Sequence, residues 1–228
     1  MSETRKSLYS KKGSYAGYDK KNKEREALDY YSTPTEEVIN ILEELDKMDL
    51  MDFSYDDLSV ILEPCCGGLH MAKGIWDFFK EKGYALTLIP TDIQERPSCL
   101  EGTSALTGKG YDFLSDAYPY VDGIDYVIMN PPYSVIEPFT MKALSIANKG
   151  VLMLGRLQFL EAEGRYEKIF SQYPPSDVFV YVDRICCYKN GDTSTKPASI
   201  QAYAWFFWDF TKENKETKVH WIRRTDKK

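Results

Sequence analysis

The sequence predicts one α/β domain with a mainly parallel β-sheet and helices on both faces. Three observations carry this. Short apolar runs alternate with segments of helical periodicity through the middle of the chain. Polar residues recur where those runs stop, at Glu63, Asp92 and Asn130. The last two β-prone runs, DVFVYVDR and QAYAWFFWDF, have no helix between them. Alternating strands and helices imply parallel pairing, because a parallel connection must cross over the sheet, whereas two adjacent strands without a crossover close as an antiparallel hairpin.

The elements follow in order. In DYYSTPTEEVINILEEL, Thr33, Pro34 and Glu36 read as a capping box with proline at the first helical position, and Val38, Ile39, Ile41, Leu42 and Leu45 form one apolar face. LSVILEPCCGG reads as a buried strand, Leu58 to Leu62, that breaks at Glu63-Pro64 into a glycine turn; Met71, Ile75, Phe78 and Phe79 then recur at helical spacing. ALTLIPTDI gives a second strand ending near Asp92, with Pro90 weakening it or standing at its last residue. After the loop-rich stretch GTSALTGKGYDFL come the strand IDYVIM, the helix FTMKALSIAN, the strand GVLMLG and the closing hairpin, whose strands are joined by the polar loop KNGDTSTKPAS.

At 228 residues, 43% of them hydrophobic and 14% aromatic, the chain suits one sizeable core. No run approaches the roughly 18–20 apolar residues of a membrane span, and MSETRKSLYSKKGSYAGYDKKNK lacks the apolar segment of a secretion signal. A soluble, cytoplasmic protein is the expectation. The five cysteines contain no C-x-x-C and the histidines are His70 and His220, so reduced thiols and no metal site are expected. The net charge of −6 is uneven: residues 1–26 carry eight Lys/Arg against four Asp/Glu, and residues 211–228 seven against three. These ends read as solvated tails or as contacts for phosphates.

In open α/β sheets ligands lie beyond the carboxyl ends of the strands, where Glu63, Asp92 and Asn130 fall. The turn EPCCGGLH is neither G-x-G-x-x-G nor a P-loop, which argues against a dinucleotide site or a phosphate cradle. Two acids one strand apart suit ribose hydroxyls and a cationic group; equally, Gly67 and Gly68 could simply make the turn, and Asp92 could cap a strand end. Asp112-Phe113 suits an aromatic base or a buried Phe beside a surface Asp. NPPY, Asn130 to Tyr133, is the strongest signal. Neither proline has an N–H to donate and both fix the turn. The Asn carboxamide oxygen and a backbone carbonyl are then aimed together at the two hydrogens of an exocyclic amine, with Tyr133 as a stacking face.

The set Y-x-T-P, E-P-x-x-G, a strand-end Asp, D-F-L and N-P-P-Y, in this order, resembles the amino-group-specific DNA adenine methyltransferases that use S-adenosylmethionine. The small phage and prophage-type members also have a C-terminal part similar to RICCYKNGDTSTKPASIQAYAWFFW. The resemblance covers about residues 29 to 210. It implies a Rossmann-like seven-stranded methyltransferase sheet, six strands parallel and one antiparallel, in a catalytic domain over 27–210 between a flexible basic segment, 1–26, and a basic tail, 211–228. By that likeness Tyr31, Thr33 and Pro34 meet the methionine moiety of the cofactor, and Glu63, Pro64, Cys65 and Gly67 form its turn. Asp92 and Ile93 supply ribose and adenine contacts, Asp112 and Phe113 the adenine edge, and Asn130, Pro131, Pro132 and Tyr133 receive the target base.

Two departures stand out. The family often has a second glycine two residues after the first, where this chain has Leu69, and many DNA members carry a target-recognition domain that has no counterpart after residue 210. The expected partner is DNA with a flipped adenine, with no membrane and no metal, and a homo-oligomer or a separate specificity partner as further possibilities. RNA or a protein glutamine as substrate, and a silent cofactor- or DNA-binding module, are the competing readings.

Overall fold

The computed structural model describes residues 30–100, 105–107, 111–119, 122–189, 191, 201–213 and 216–227. The basic segment expected over 1–26 lies outside them, as do residues 102–104 and 108–110 of the loop-rich stretch and most of the polar loop before Ser199.

In chain order the main elements are β1 (Tyr31–Ser32), α1 (Thr35–Lys47), β2 (Ser59–Glu63), α2 (His70–Lys82), β3 (Leu86–Asp92), β4 (Leu106–Thr107), β5 (Tyr126–Met129), α3 (Ile136–Ile146), β6 (Gly150–Arg156), β7 (Asp177–Tyr181), β8 (Tyr188–Lys189), β9 (Tyr203–Asp209) and β10 (Lys218–Ile222). One eight-stranded sheet runs β10-β7-β9-β6-β5-β2-β3-β4. Strand β9 is antiparallel to both neighbours, β6 and β7, and every other pairing in this sheet is parallel. The seven strands β4 to β7 thus have the expected six parallel and one reversed. The correction is an eighth, β10, which adds parallel to the edge of β7 and comes from residues whose charge reads as a tail. Strands β1 and β8 pair separately, Tyr31 opposite Lys189 and Ser32 opposite Tyr188.

Period-2 alternation sorts the strand side chains into two cores. Ile61, Tyr126, Ile128, Leu152, Leu154, Trp205 and Phe207 face α1 and α2, meeting Val38, Ile41, Leu42, Ile75, Phe78 and Phe79. Their sequence neighbours Leu62, Val127, Met129, Val151, Met153 and Phe206 face the other way, onto Ile136, Phe139, Ala143 and Leu144 of α3. Central strands covered on both faces must be apolar throughout, which is why YVIM and AWFFW carry no polar alternation.

One local expectation is met and one is corrected. Strand β3 runs through Pro90 to Asp92: on one side Pro90 is opposite Glu63, and on the other β4 pairs only with Thr91 and Asp92, so the missing N–H falls where the strand is an edge. Helix α1 begins at Thr35 with Pro34 as its N-cap and no side-chain cap. The Pro34 carbonyl accepts from the N–H groups of Glu37 and Val38 at 3.1 and 3.3 Å. Thr33 does not cap because its hydroxyl is engaged elsewhere, by Asn130. The far end of the chain returns to the same helix. Asn40 Nδ2 donates to the Arg223 carbonyl at 2.8 Å, and the Thr225 N–H donates to Glu37 Oε1 at 3.0 Å.

Candidate active site

Because β3, β2, β5 and β6 are adjacent and parallel, their carboxyl ends place Asp92, Glu63, Asn130 and Arg156 in a row in that order along one rim of the sheet. Neighbouring strands are about 4.8 Å apart, so the row spans little more than the length of a nucleoside. The acids hold one half of the rim, the amide and the guanidinium the other.

The acidic half is built on the glycine turn. Gly67 has φ +52°, and a Cβ there would fall inside the ring of Tyr30. Its N–H donates to Asp92 Oδ2 at 2.9 Å, and the Gln94 N–H donates to Asp92 Oδ1 at 2.8 Å, so the strand-end carboxylate holds the turn against its own loop. The Gly68 N–H donates to the Tyr30 hydroxyl at 2.9 Å, which lies 3.1 Å from His70 Nδ1; the Arg96 guanidinium stacks on the Tyr30 ring, 4.7 Å from its centroid. Leu69 stands where the resemblance expects a second glycine, and it takes the left-handed conformation such a glycine would take, φ +67° and ψ 18°. The left-handed backbone costs about 1–2 kcal/mol for an L side chain, offset by burial of the leucine.

Glu63, only 2% exposed, accepts a backbone hydrogen bond from Ala72, while its Oε2 is buried with no partner. Burial, and then the Asp92 charge beside it, push its carboxyl well above the usual carboxylate range. Asp92 is also raised by burial, against the pull of its two backbone donors and Arg96. Burial, and then the charges of Glu63 and Asp92, lift the thiols of Cys65 and Cys66 too. Pro64 is buried in the same turn and Ile93, 38% exposed, borders the rim beyond Asp92.

The turn 111–118 closes the side of β3. Tyr118 Oη and Thr91 Oγ1 are 2.7 Å apart, and Asp112 Oδ1 accepts from the Leu114 N–H at 3.1 Å. Phe113 is 1% exposed, packed edge-on to Tyr118 with centroids 5.3 Å apart and against Phe139 at 5.1 Å. Its ring is packed within the turn and offers no open face, while Asp112 holds its own turn through Leu114. Lys142 of α3 braces this turn, donating to the Ser115 carbonyl at 2.9 Å with its ammonium 5.2 Å from the Phe113 and Tyr118 centroids. Burial lowers its pKa to about 8.

The other half is built on NPPY. Asn130 Nδ2 donates to the Tyr31 carbonyl at 3.2 Å and to Thr33 Oγ1 at 3.1 Å, which fixes the amide and leaves Oδ1 without a hydrogen bond among the described residues. Tyr31 and Thr33 therefore touch the asparagine amide directly. The Asn130 backbone carbonyl is approached by the Cys65 thiol at 3.5 Å. The Pro132 carbonyl accepts from the Val135 N–H at 3.1 Å, and the Pro131 carbonyl is left free among the described residues. Tyr133 lies between the rings of Tyr31 and Tyr203, each centroid 6.3 Å away, with its hydroxyl buried and without a well-formed hydrogen bond. Its ring carries the Arg156 guanidinium 4.3 Å from the centroid, an arrangement worth about 0.5–2 kcal/mol.

The structure thus gathers Tyr31, Thr33, Pro34, Cys65, Gly67, Glu63, Asp92 and Asn130 to Tyr133 on one rim, and buries Phe113 within its turn. Sequence reasoning missed Tyr30, Lys142 and Arg156. Arg156 had a signal: it is a charge ending the otherwise apolar strand GVLMLGR. Among the described residues no cluster of His, Cys, Asp and Glu is placed to hold a metal, and no helix is long and apolar enough to cross a membrane.

No protein-family model matches the sequence, and no curated protein does. Solved structures do. A Listeria monocytogenes protein assigned to the class I S-adenosylmethionine-dependent methyltransferases is similar over 83% of this chain and 65% of its own, with TM-score 0.58 and 12% identity. The methyltransferase subunit of a type I restriction-modification system from Streptococcus thermophilus is similar over 86% of this chain and 47% of its own, with TM-score 0.54 and 10% identity. DrdV, in a complex with DNA, is similar over 98% of this chain and 30% of its own, with TM-score 0.55 and 13% identity. The chain therefore spans less than two thirds of each of these proteins, and what it shares with them is the fold, that of the class I methyltransferases.

Proposed function

We propose that this protein is an S-adenosylmethionine-dependent methyltransferase that modifies the exocyclic 6-amino nitrogen of adenine in DNA. One observation carries the reading: at the end of β5 the Asn130 amide is held by Tyr31 and Thr33 through its NH2, so that Oδ1 and the Pro131 carbonyl stand as two uncommitted acceptors on a turn two prolines keep rigid.

The acidic half of the rim fits the cofactor. Gly67 leaves no room for a Cβ, and Glu63 Oε2 is a buried oxygen without a partner beside a second acid, a setting that favours hydroxyl donors and a positive group. Asp92, Ile93 and Asp112 would hold the ribose and adenine, and Tyr31, Thr33, Pro34 and the Gly67 turn the methionine part. When bound, the cofactor supplies an electrophilic methyl group on a sulfonium.

The amine of adenine is a poor nucleophile because its lone pair is delocalised into the ring. Accepting both its hydrogens at Asn130 Oδ1 and the Pro131 carbonyl localises that pair and orients it, which is preorganised electrostatics with positioning. The amine is paired inside a duplex, so the base must leave the stack at a cost of a few kcal/mol, which stacking on Tyr133, about 1–3 kcal/mol, offsets. Supplying tritiated cofactor with separate DNA, RNA and protein pools tests the substrate class, and label in protein alone would overturn the DNA reading. Expression in a host lacking adenine methylation, followed by modified-base sequencing, would then give the site.

Glu63 carries a pH signature. Below about pH 4.3, the ordinary glutamate value, it is protonated folded or unfolded; as pH rises past that, the unfolded chain ionises first. Stability is therefore lost from there up to the raised native pKa. Glu63→Gln should melt several degrees above wild type at pH 8, with the gap closing near pH 5, as thermal scans of the cofactor-free protein would read. The same variant should bind the cofactor more weakly; an equal gap at both pH values would contradict the assignment of a neutral Glu63.

A further inference from the structure

Beside Asn130, on the side away from Glu63 and Asp92, the rim ends in Arg156. Its guanidinium lies over the Tyr133 ring, it forms no salt bridge among the described residues, and its Nε is buried with no hydrogen-bond partner. Around that ring burial pushes the hydroxyls of Tyr133 and Tyr203 and the thiol of Cys187 above their ordinary values, and Tyr203 is the hydrogen-bonding neighbour of both Tyr133 and Arg156. A half-buried guanidinium with an unsatisfied Nε and no anionic partner among the described residues is short of an acceptor, and its planar fork matches two phosphate oxygens. It also covers one face of the Tyr133 ring, so a base stacking on that face would have to displace it.

We infer that Arg156 is a substrate-contacting residue: it keeps the Tyr133 face covered until a base arrives, is displaced by it, and then pairs with a phosphate beside the extruded adenosine. This rests on the DNA reading above and narrows it, because a protein glutamine brings a small amide, with neither a ring to displace the guanidinium nor a phosphate to receive it. The exchange explains how a charge at the end of a central strand is kept: one cationic contact is traded for another as the substrate enters.

The test compares wild type, Arg156→Gln and Arg156→Lys, each as the full chain. Methyl transfer from tritiated S-adenosylmethionine to bacterial DNA free of adenine methylation is measured between about 50 and 300 mM salt, with cofactor affinity measured by calorimetry. R156Q is expected to raise KM for DNA about tenfold or more and to lower the slope of log KM against log salt by about one, the signature of one lost phosphate contact. R156K should keep most of the slope, and both variants should bind cofactor as wild type does, which shows that they are folded. A merely structural role would not move the slope. Transfer to DNA with an unaltered slope in R156Q overturns this assignment alone; no transfer to DNA by wild type overturns it together with the DNA reading.

Discussion

Replacing Asn130 with alanine should lower methyl transfer at saturating DNA by about 10²–10³-fold, the range found when one preorganised hydrogen-bonding group aimed at the reacting centre is removed. Cofactor affinity should stay within about twofold, since the acids proposed to hold the cofactor, Glu63 and Asp92, belong to β2 and β3. The substitution removes two things at once, the Oδ1 acceptor and the Nδ2 bonds to Tyr31 and Thr33. Thr33→Val separates them: it breaks one tether and keeps the acceptor, so it should cost far less, roughly the 0.5–1.5 kcal/mol of an ordinary hydrogen bond. Single-turnover rates with calorimetry on both variants give the comparison. An alanine variant within threefold of wild type would remove the amide from the mechanism.

Replacing Asp92 with alanine should weaken cofactor binding by about 100-fold. Its carboxylate is 7% exposed and accepts from the amides of Gly67 and Gln94. Each is a hydrogen bond to a charged group, worth about 1.5–3 kcal/mol, so losing the carboxylate releases the turn as well as any ribose contact. The cost should appear twice, as lower affinity in calorimetry and as a lower urea midpoint in the cofactor-free protein. Asp92→Asn keeps an acceptor and should recover part of the midpoint. An alanine variant that loses stability yet binds cofactor within twofold of wild type would limit Asp92 to holding the turn.

The sheet was legible because its evidence is local. VILE, YVIM and GVLMLG are too apolar and too short for anything but covered strands, the half-covered TLIPTD pairs beside them, and Glu63, Asp92 and Asn130 mark the ends of three of these runs. What failed depended on tertiary partners. The Thr33-Pro34-Glu36 pattern satisfies the rule for a helix start, yet an amide 97 residues away takes the threonine hydroxyl. KVHWI lies in a charged segment and becomes a strand only because the β7 edge offers it a register, Lys218 opposite Asp177. Phe113 could stack or be buried as far as its neighbours in sequence show; Tyr118 and Phe139 decide it. Leu69 cannot be read at all from propensity, because the left-handed backbone is imposed by the turn around it.

The bonds from residues 223–225 to Asn40 and Glu37 have a consequence for the order in which a growing chain matures. Helix α1 is synthesised well before β10, and two of its inward polar groups wait for partners made almost two hundred residues later. On the ribosome, α1 and the Thr33 that precedes it can be finally seated only after β10 has emerged. The segment that steadies the asparagine is thus completed only once residues 223–225 have been made, so the working geometry of the rim follows their synthesis.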